Sequence, residues 1–379
     1  MKIAVVGGGI SGLSIAYNLA LRKAGEIHVY EKNWITYGSS TRSGSRFRVH
    51  FWSEENSRFA MESIKRLEKL AKKMDWNPII NRTGYLWLLS SEQEIEIFKK
   101  SNEMWRKLGV GGVLLTTEEV RERYPYINVD GLAGAFFGPQ DGSFHHDYVC
   151  FGYYSLAKSL GVVFHQKTEV KDIVVSGGKV EGIKVGDEGL EKFDVVVLAT
   201  GAWTNIIIEK TGIKLPVEPL KKEVCLTEPC RYFIKPLVID LASSAYVTQT
   251  LKGEILGSID YPLPQGLGDL ETELGFVKAW ARAVAKRIPI LRNCRIMRTW
   301  AGYYMMSIDN SHIMGRDPEW PEGLYVAYGY SGHGFMMAPL VGELLAENIL
   351  TGRVDELMKP FLPTRFKEDK LIPEKLVIG

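Results

Sequence analysis

An α/β fold is predicted for this chain, interleaved with a second, sheet-rich α+β domain. Three short apolar strands that each run into a glycine turn predict it: Ile3–Val6 before Gly7, Val195–Leu198 before Ala199-Thr200-Gly201, and the strand inside GLYVAYGYSGHG (323–334). Such runs are too brief for helices and are bounded at once by glycine, as fully buried parallel strands are. Between them lie segments of different character, so the chain enters and leaves the first domain three times.

The first turn is the most informative. Gly7, Gly9 and Gly12 form G-x-G-x-x-G, Leu13 to Leu21 follow at helical spacing, Ile27–Tyr30 reads as a second strand, and Glu31 closes the unit 19 residues after Gly12. The glycines permit a tight turn, a close backbone approach to a pyrophosphate and helix–strand contact. The helix N-terminus offers unpaired N–H groups and a positive dipole end to phosphates. Glu31 suits a ribose diol and repels a 2′-phosphate. Glycine-rich turns without a ligand are common, but strand, helix, second strand and terminal acid all stand in the required context, so a Rossmann-like dinucleotide site is expected. FAD and NAD are not distinguished by this stretch.

Bulk properties narrow the class. A chain of 379 residues is long for one core and suggests two domains. A net charge of +2 argues for neither nucleic acid nor an anionic membrane. Cys150, Cys225, Cys230 and Cys294 show no C-x-x-C pair and read as thiols of a reducing compartment. No apolar run approaches the ~20 residues of a membrane span. The glycines interrupt the apolar N-terminus, so it does not read as a signal peptide, and a cytoplasmic location is expected.

After Glu31 the segment WITYGSSTRSGSRFRVHF is a loop by composition. Its position lets Ser39, Ser40 and Thr41 bond a cofactor and puts Arg42, Arg46 and Arg48 near an acidic substrate. Asn56–Met74 is an amphipathic helix with a solvated charged face. GYLWLLSS is strand-like, Glu92–Leu108 is a helix, and Thr116–Tyr124 is a short helix opened by a threonine cap before glutamates. GLAGAFFGPQDGSFHHD returns to strands and turns. Tyr148–Leu160 is a helix, Val162–His165 a strand, and Glu169–Lys184 a hairpin around Ser176-Gly177-Gly178. EVCLTEP, AYVTQT and EILGSIDY are strands, and Glu271–Ile288 is a helix. A final helix begins at about Met337, its N-terminus aimed at the glycines 329, 332 and 334. The nucleotide domain is thus expected over 1–78, 145–215 and 300–379, and the substrate domain over 79–144 and 216–299.

With these stretches in view, the chain resembles the D-amino-acid-oxidase-type FAD-dependent oxidoreductases, and within them the β subunits of heteromeric sarcosine oxidase and dye-linked L-proline dehydrogenase. The motifs are GGGISGLS (7–14), TGYLWLL (83–89), AYVTQT (245–250), RTWAGYYMMSIDN (298–310), SGHGFMMAPLVGE (331–343) and a terminal RF…G ending at Gly379. The resemblance implies non-covalent FAD. Gly7, Gly9, Ile10, Ser11 and Gly12 would hold its pyrophosphate, Glu31 and Lys32 its ribose. Ser39, Ser40, Thr41 and Arg42 would follow toward the flavin, and Val170 would contact adenine. Ala199, Thr200, Gly201 and Trp203 would pack by the rings. Gly302, Gly332, His333, Gly334, Phe335 and Met336 would close over the flavin.

It also implies a reaction: hydride transfer from the carbon beside an amine nitrogen to flavin N5, giving an imine. The expected substrate pocket comprises Arg48, which binds the substrate carboxylate, together with Tyr246, Lys222 and Met336. The substrate is then a small secondary or N-methyl amino acid such as L-proline or sarcosine. Departures from the family shape this. Gly302 replaces the cysteine that links flavin in monomeric sarcosine oxidase. Ile255 aligns with a lysine over the flavin that activates oxygen, so a non-oxygen acceptor is expected. Met336 replaces a second carboxylate-binding lysine. Lys222, followed by Glu223, replaces a histidine of the proline pocket, and such a charged pair disfavours an apolar ring. His146 matches a histidine carrying FMN in the sarcosine oxidase β subunit. It either bears FMN beneath an α subunit or is simply bonded within a loop. Two alternatives accompany the dehydrogenase: a relay or assembly β subunit, with an α subunit or electron-accepting protein as partner, and a glycine/sarcosine oxidase producing hydrogen peroxide.

Overall fold

The computed structural model describes every residue except 187, 188, 265, 376, 378 and 379, so Gly379 of the terminal motif and the very end of the expected 300–379 segment lie outside the described residues. Two large sheets organise the chain. The first has six strands in the order Ile313–Gly315, Leu324–Tyr328, Val195–Leu198, Lys2–Val6, Glu26–Glu31, Val163–Gln166. All neighbours pair in parallel except Ile313–Gly315, which is antiparallel to Leu324–Tyr328. The three glycine-terminated strands of the sequence are adjacent at its centre. Their carboxyl ends therefore open on one crevice, the place where such sheets take ligands.

Helices Ile10–Leu21, His146–Ser159 and Gly334–Thr351 cover one face of this sheet. Ile10–Leu21 is buried nearly all round, which explains why its sequence is apolar on every side rather than along a stripe. It packs closely on the last helix: a Cβ at Gly342 would fall 2.2 Å from Ser14 Oγ. The other face carries a three-stranded antiparallel sheet, Val170–Ser176, Lys179–Val185 and Leu190–Lys192.

The second sheet has eight strands in the order Ile296–Ser307, Val217–Pro229, Glu254–Ile259, Ala245–Gln249, Leu237–Asp240, Tyr85–Leu89, Gly134–Gly138, Val113–Leu115. One strand, Ile296–Ser307, runs straight across position 300 and pairs with Val217–Pro229 along its length. Helix Leu274–Arg287 closes one side, with Phe276 and Trp280 in the core. On the other side Trp105 and Phe98 of helix Glu92–Lys107 join Trp87, Phe136 and Tyr246. The capped helix is present as Thr117–Arg123, with Thr116 and Glu119 exchanging side-chain and backbone hydrogen bonds.

Several elements differ from expectation. The last helix starts at Gly334, three residues before Met337, where a Cβ would fall 3.0 Å from the Tyr330 ring, so the first turn lies close against that ring. The 170–185 hairpin gains a third strand, Leu190–Lys192, whose short polar sequence carries no period-two signal. The helix expected from Glu271 begins at Leu274, since Glu271 N–H is taken by Asp269 Oδ1 and Glu273 N–H by Glu223 Oε2. No helix among the described residues is long and apolar enough to cross a membrane.

Candidate active site

A single elongated cavity of about 480 Å3 takes its walls from both large sheets. Its volume falls in the range of small-molecule sites. At one end lies the turn after Lys2–Val6. Gly7 has φ +107°, and a Cβ there would fall 2.3 Å from Ala199 O; a Cβ at Gly12 would fall 1.9 Å from Gly7 O. Any side chain would push apart strands and helix. Gly9 caps helix Ile10–Leu21 and brings no side chain of its own to the dipole end. Ser40 Oγ accepts the Ile10 N–H at 3.0 Å. Glu31 accepts Gly8 N–H at 2.9 Å and Asn33 N–H at 2.8 Å, which fixes its carboxylate at the tip of the second strand. The Lys32 ammonium stands 3.4 Å from the centroid of the Trp203 ring, and burial lowers its pKa.

The middle of the cavity is a seam between the 39–42 turn and strand Ile296–Ser307. Ser39 Oγ donates to Tyr303 O at 3.0 Å, Arg42 Nη1 to Ala301 O at 3.0 Å, and Trp300 Nε1 to Arg42 O at 3.0 Å. Gly302 lines the cavity within this seam.

The far end is walled by Arg46, Arg48, Tyr85, Lys222, Tyr246, Ser258, Tyr304 and Met336. Arg48 is 1% exposed. Its Nη2 lies 2.8 Å from His333 Nε2, its guanidinium 4.4 Å from the Phe51 ring, and its N–H 3.5 Å from Met336 Sδ. Burial lowers its pKa from the usual arginine value. Arg46 donates to Thr83 Oγ1 at 3.1 Å and to Gln249 O at 3.2 Å. Burial raises Tyr246 well above the ordinary phenol and pushes Tyr304 up to about 12. Both phenols are therefore neutral hydrogen-bond donors at neutral pH.

All the sequence-selected site residues meet in this cavity except Gly12, Thr41 and His146. Gly12 serves helix–strand packing. Thr41 Oγ1 donates to Thr36 O at 2.8 Å and shapes the loop from behind. His146 opens helix His146–Ser159, where its Nδ1 is hydrogen-bonded to Ser45 Oγ and burial lowers its pKa.

Two expectations are corrected. Ile255 is fully buried against Leu86, Phe276 and Trp280 on the side of its strand turned from the cavity. It cannot lie over a cofactor; Ser258 is the residue of that strand that lines the chamber. The Lys222–Glu223 pair is also split, because neighbours on a strand point to opposite faces. Lys222 lines the cavity and is ion-paired with Asp260, whereas Glu223 is buried on the other face, where it accepts Glu273 N–H at 3.0 Å.

Several residues of the chamber were not singled out by sequence. Tyr304 lies two positions after Gly302 and so on the same face of the strand, an alternation that would have found it. Tyr85 and Tyr330 also line the cavity. Behind Arg48, the buried His50 Nδ1 lies 2.8 Å from Asp141 Oδ2, and Asp141 Oδ1 accepts Val49 N–H at 2.7 Å, which holds the arginine-bearing loop.

The glycine turn and Arg48 thus open on one chamber, with room for a nucleotide's phosphates at one end and a small acid at the other. The class defined by the fold and this geometry is the dinucleotide-dependent oxidoreductases. Comparison with known proteins places it further: the chain belongs to the family described as FAD dependent oxidoreductase, whose profile matches residues 2–348. It is 30% identical over 382 residues to sarcosine oxidase subunit beta of Rhizobium meliloti strain 1021, covering 98% of this chain and 90% of that one. It is 36% identical to a crystal structure of L-proline dehydrogenase from P. horikoshii, with a TM-score of 0.90 over 98% of each chain. It shares its fold with glycine oxidase from Geobacillus kaustophilus at 24% identity and a TM-score of 0.86, over 96% and 98% of the two chains.

Proposed function

We propose that this chain oxidises a small secondary or N-methyl amino acid, of the L-proline or sarcosine kind, with non-covalent FAD and a non-oxygen acceptor. The observation that carries this reading is the position of Arg48 in the same cavity as the Gly7–Gly12 turn. Gly7, Gly9, Ile10 and Ser11 would hold the pyrophosphate and Glu31 the ribose. Ser39, Ser40 and Arg42 would follow, and Gly302 and Gly332–Met336 would flank the ring. FAD, when bound, supplies the two-electron acceptor for a hydride from the carbon beside nitrogen. Arg48 fixes the substrate carboxylate, and Tyr246 and Tyr304 donate hydrogen bonds to it or to the amine. The two aromatic rings and the loop held by Asp141 exclude water from that end. A non-oxygen acceptor is supported by Ile255, which brings no cation to the chamber, and by Asp260 neutralising Lys222. Proline is supported by the 36% identical dehydrogenase and by the removal of Glu223 from the pocket.

Anaerobic mixing of the yellow protein with L-proline, sarcosine and glycine is expected to bleach the flavin with at least one of them. Denaturation should release all the flavin, because Gly302 offers no thiol. Persistent colour with every amine would refute the reading.

A second reading, a β subunit that relays electrons, is supported by the sarcosine oxidase subunit relatives and by an aromatic patch beside His146. There Trp76 is 53% and Phe151 46% exposed, and Trp76 stacks on Tyr148 at 6.1 Å. An α subunit would cover this patch and enclose FMN at His146. Dye reduction by the chain alone eliminates a relay-only role; peroxide release at the same rate would instead favour the oxidase. We also infer that the chain divides functionally into FAD-binding segments 1–78, 145–215 and 300–379 and substrate segments 79–144 and 216–299.

A further inference from the structure

Cys230 and Cys294 lie far apart in sequence, yet the sheet brings them together. Strands Val217–Pro229 and Ile296–Ser307 run antiparallel with Thr227 opposite Ile296. The pairing continues past the strand ends: Glu228 N–H donates to Arg295 O at 2.9 Å, and Arg295 N–H returns to Glu228 Oε1 at 3.0 Å. Cys230 is two residues beyond Glu228, and Cys294 is one residue before Arg295. Counted from Glu228 opposite Arg295, the two cysteines are one position off register, and both have left the ladder, Cys230 N–H donating to Gly253 O at 3.0 Å and Cys294 N–H to Leu291 O at 3.1 Å. Both thiols are partly exposed, whereas Cys150 and Cys225 are buried. Burial and then Cys294 raise the Cys230 thiol; burial and then the Glu228 carboxylate raise Cys294, while a hydrogen bond with Cys230 pulls it the other way. The two thiols are thus near enough to influence one another, and both are protonated at neutral pH.

The surroundings are built as well. Gln249 Nε2 reaches Cys230 Sγ at 3.4 Å and also donates to Arg231 O and Gly253 O at 3.1 and 2.9 Å. The Gln249 carbonyl is the acceptor for Arg46 in the cavity wall, and the same strand carries Tyr246. A bond at this point would therefore be fastened to the substrate end of the cavity through one residue.

We propose that Cys230 and Cys294 form a reversible dithiol–disulfide site, oxidised by small-molecule disulfides. In the step, one cysteine thiolate attacks the reagent disulfide and expels a thiolate. The second cysteine, losing its proton, then attacks the mixed disulfide, forms the Sγ–Sγ bond and expels the other reagent thiolate. Two protein thiols are oxidised, one reagent disulfide is reduced to two thiols, and the reverse reaction restores the dithiol.

The test uses the full-length holoprotein, incubated with oxidised glutathione or with a reductant, then denatured, alkylated and weighed. The reduced sample should take up four alkyl groups; the oxidised one should take up two and yield a cross-linked peptide joining residues 230 and 294. Cys230→Ser and Cys294→Ser should each abolish the cross-link, and wild-type peptide mapping decides the matter if either variant fails to fold. Four alkyl groups in both samples would overturn the proposal. So would a glutathione adduct that persists on either cysteine without the cross-link, or a bridge involving Cys150 or Cys225.

Discussion

Replacing Arg48 with methionine separates recognition of the substrate acid from integrity of the fold. Methionine retains much of the stem volume and removes the guanidinium. Little stability should be lost, because the cation is 1% exposed and its desolvation penalty disappears along with its contacts to His333 and Phe51. A carboxylate deprived of its charged donor loses about 3 kcal/mol, the upper part of the range for hydrogen bonds to charged groups. That corresponds to roughly a hundredfold weaker binding. The assay is the concentration of L-proline, or whichever amino acid bleaches the parent, needed for half-reduction of the flavin without oxygen. Pyrrolidine, which has the ring and no carboxylate, serves as control and should respond equally to both proteins. An Arg48→Met protein that binds the amino acid within about threefold of the parent would refute the assignment. So would an equal loss for pyrrolidine, which would show that Arg48 only shapes the chamber.

Three further outcomes follow from the packing. His312 is buried between Phe361, at 3.9 Å, and Tyr330, at 5.8 Å, and burial followed by Arg365 holds its pKa well below the usual value. The unfolded chain protonates this residue below about pH 6.5 and the folded one does not, so stability falls with pH there by about 1.4 kcal/mol per unit. His312→Phe should flatten the urea midpoint between about pH 5 and about pH 6.5, and an unchanged slope would count against it. Asp309 receives Arg365 Nε at 2.8 Å and Nη2 at 3.0 Å with both side chains buried, so Asp309→Ala should cost about 3–5 kcal/mol by urea unfolding. A loss below about 1 kcal/mol would mean the guanidinium finds other partners. Gly12→Ala places a methyl 1.9 Å from Gly7 O and should give colourless or insoluble protein; a fully yellow variant of parental melting temperature would show that the turn relaxes.

The parallel half of the fold was legible because its signals are local: an apolar strand, a glycine and a helical period each occupy a few consecutive residues. The site residues on those turns follow directly, since Gly7, Ala199 and Gly332 sit where three such strands end. The substrate chamber was less legible. Glu223 is one position and Ile255 three positions from a residue that lines it, and an odd number of steps along a strand reverses the face a side chain presents. Motif matching names the neighbourhood, while only the pairing register assigns the face. Tyr85 lies in a segment that reads as a strand, Tyr304 in a motif notable for Gly302, and His50 and Asp141 in a loop and a turn, and what distinguishes them is their place in or behind the cavity wall. The cross-strand thiols are a stronger case, because their proximity depends on a pairing of segments more than sixty residues apart.

The ribbon of Val217–Pro229 with Ile296–Ser307 has a mechanical implication. Val217, Tyr303 and Met305 are embedded with the nucleotide sheet, while Cys225 and Ile296 of the same two strands are embedded with the outer sheet. A stiff shaft thus joins both halves, so they cannot swing apart like the jaws of a clamshell. Traffic of small molecules must rely on surface loops, and heating should melt both halves in one cooperative event.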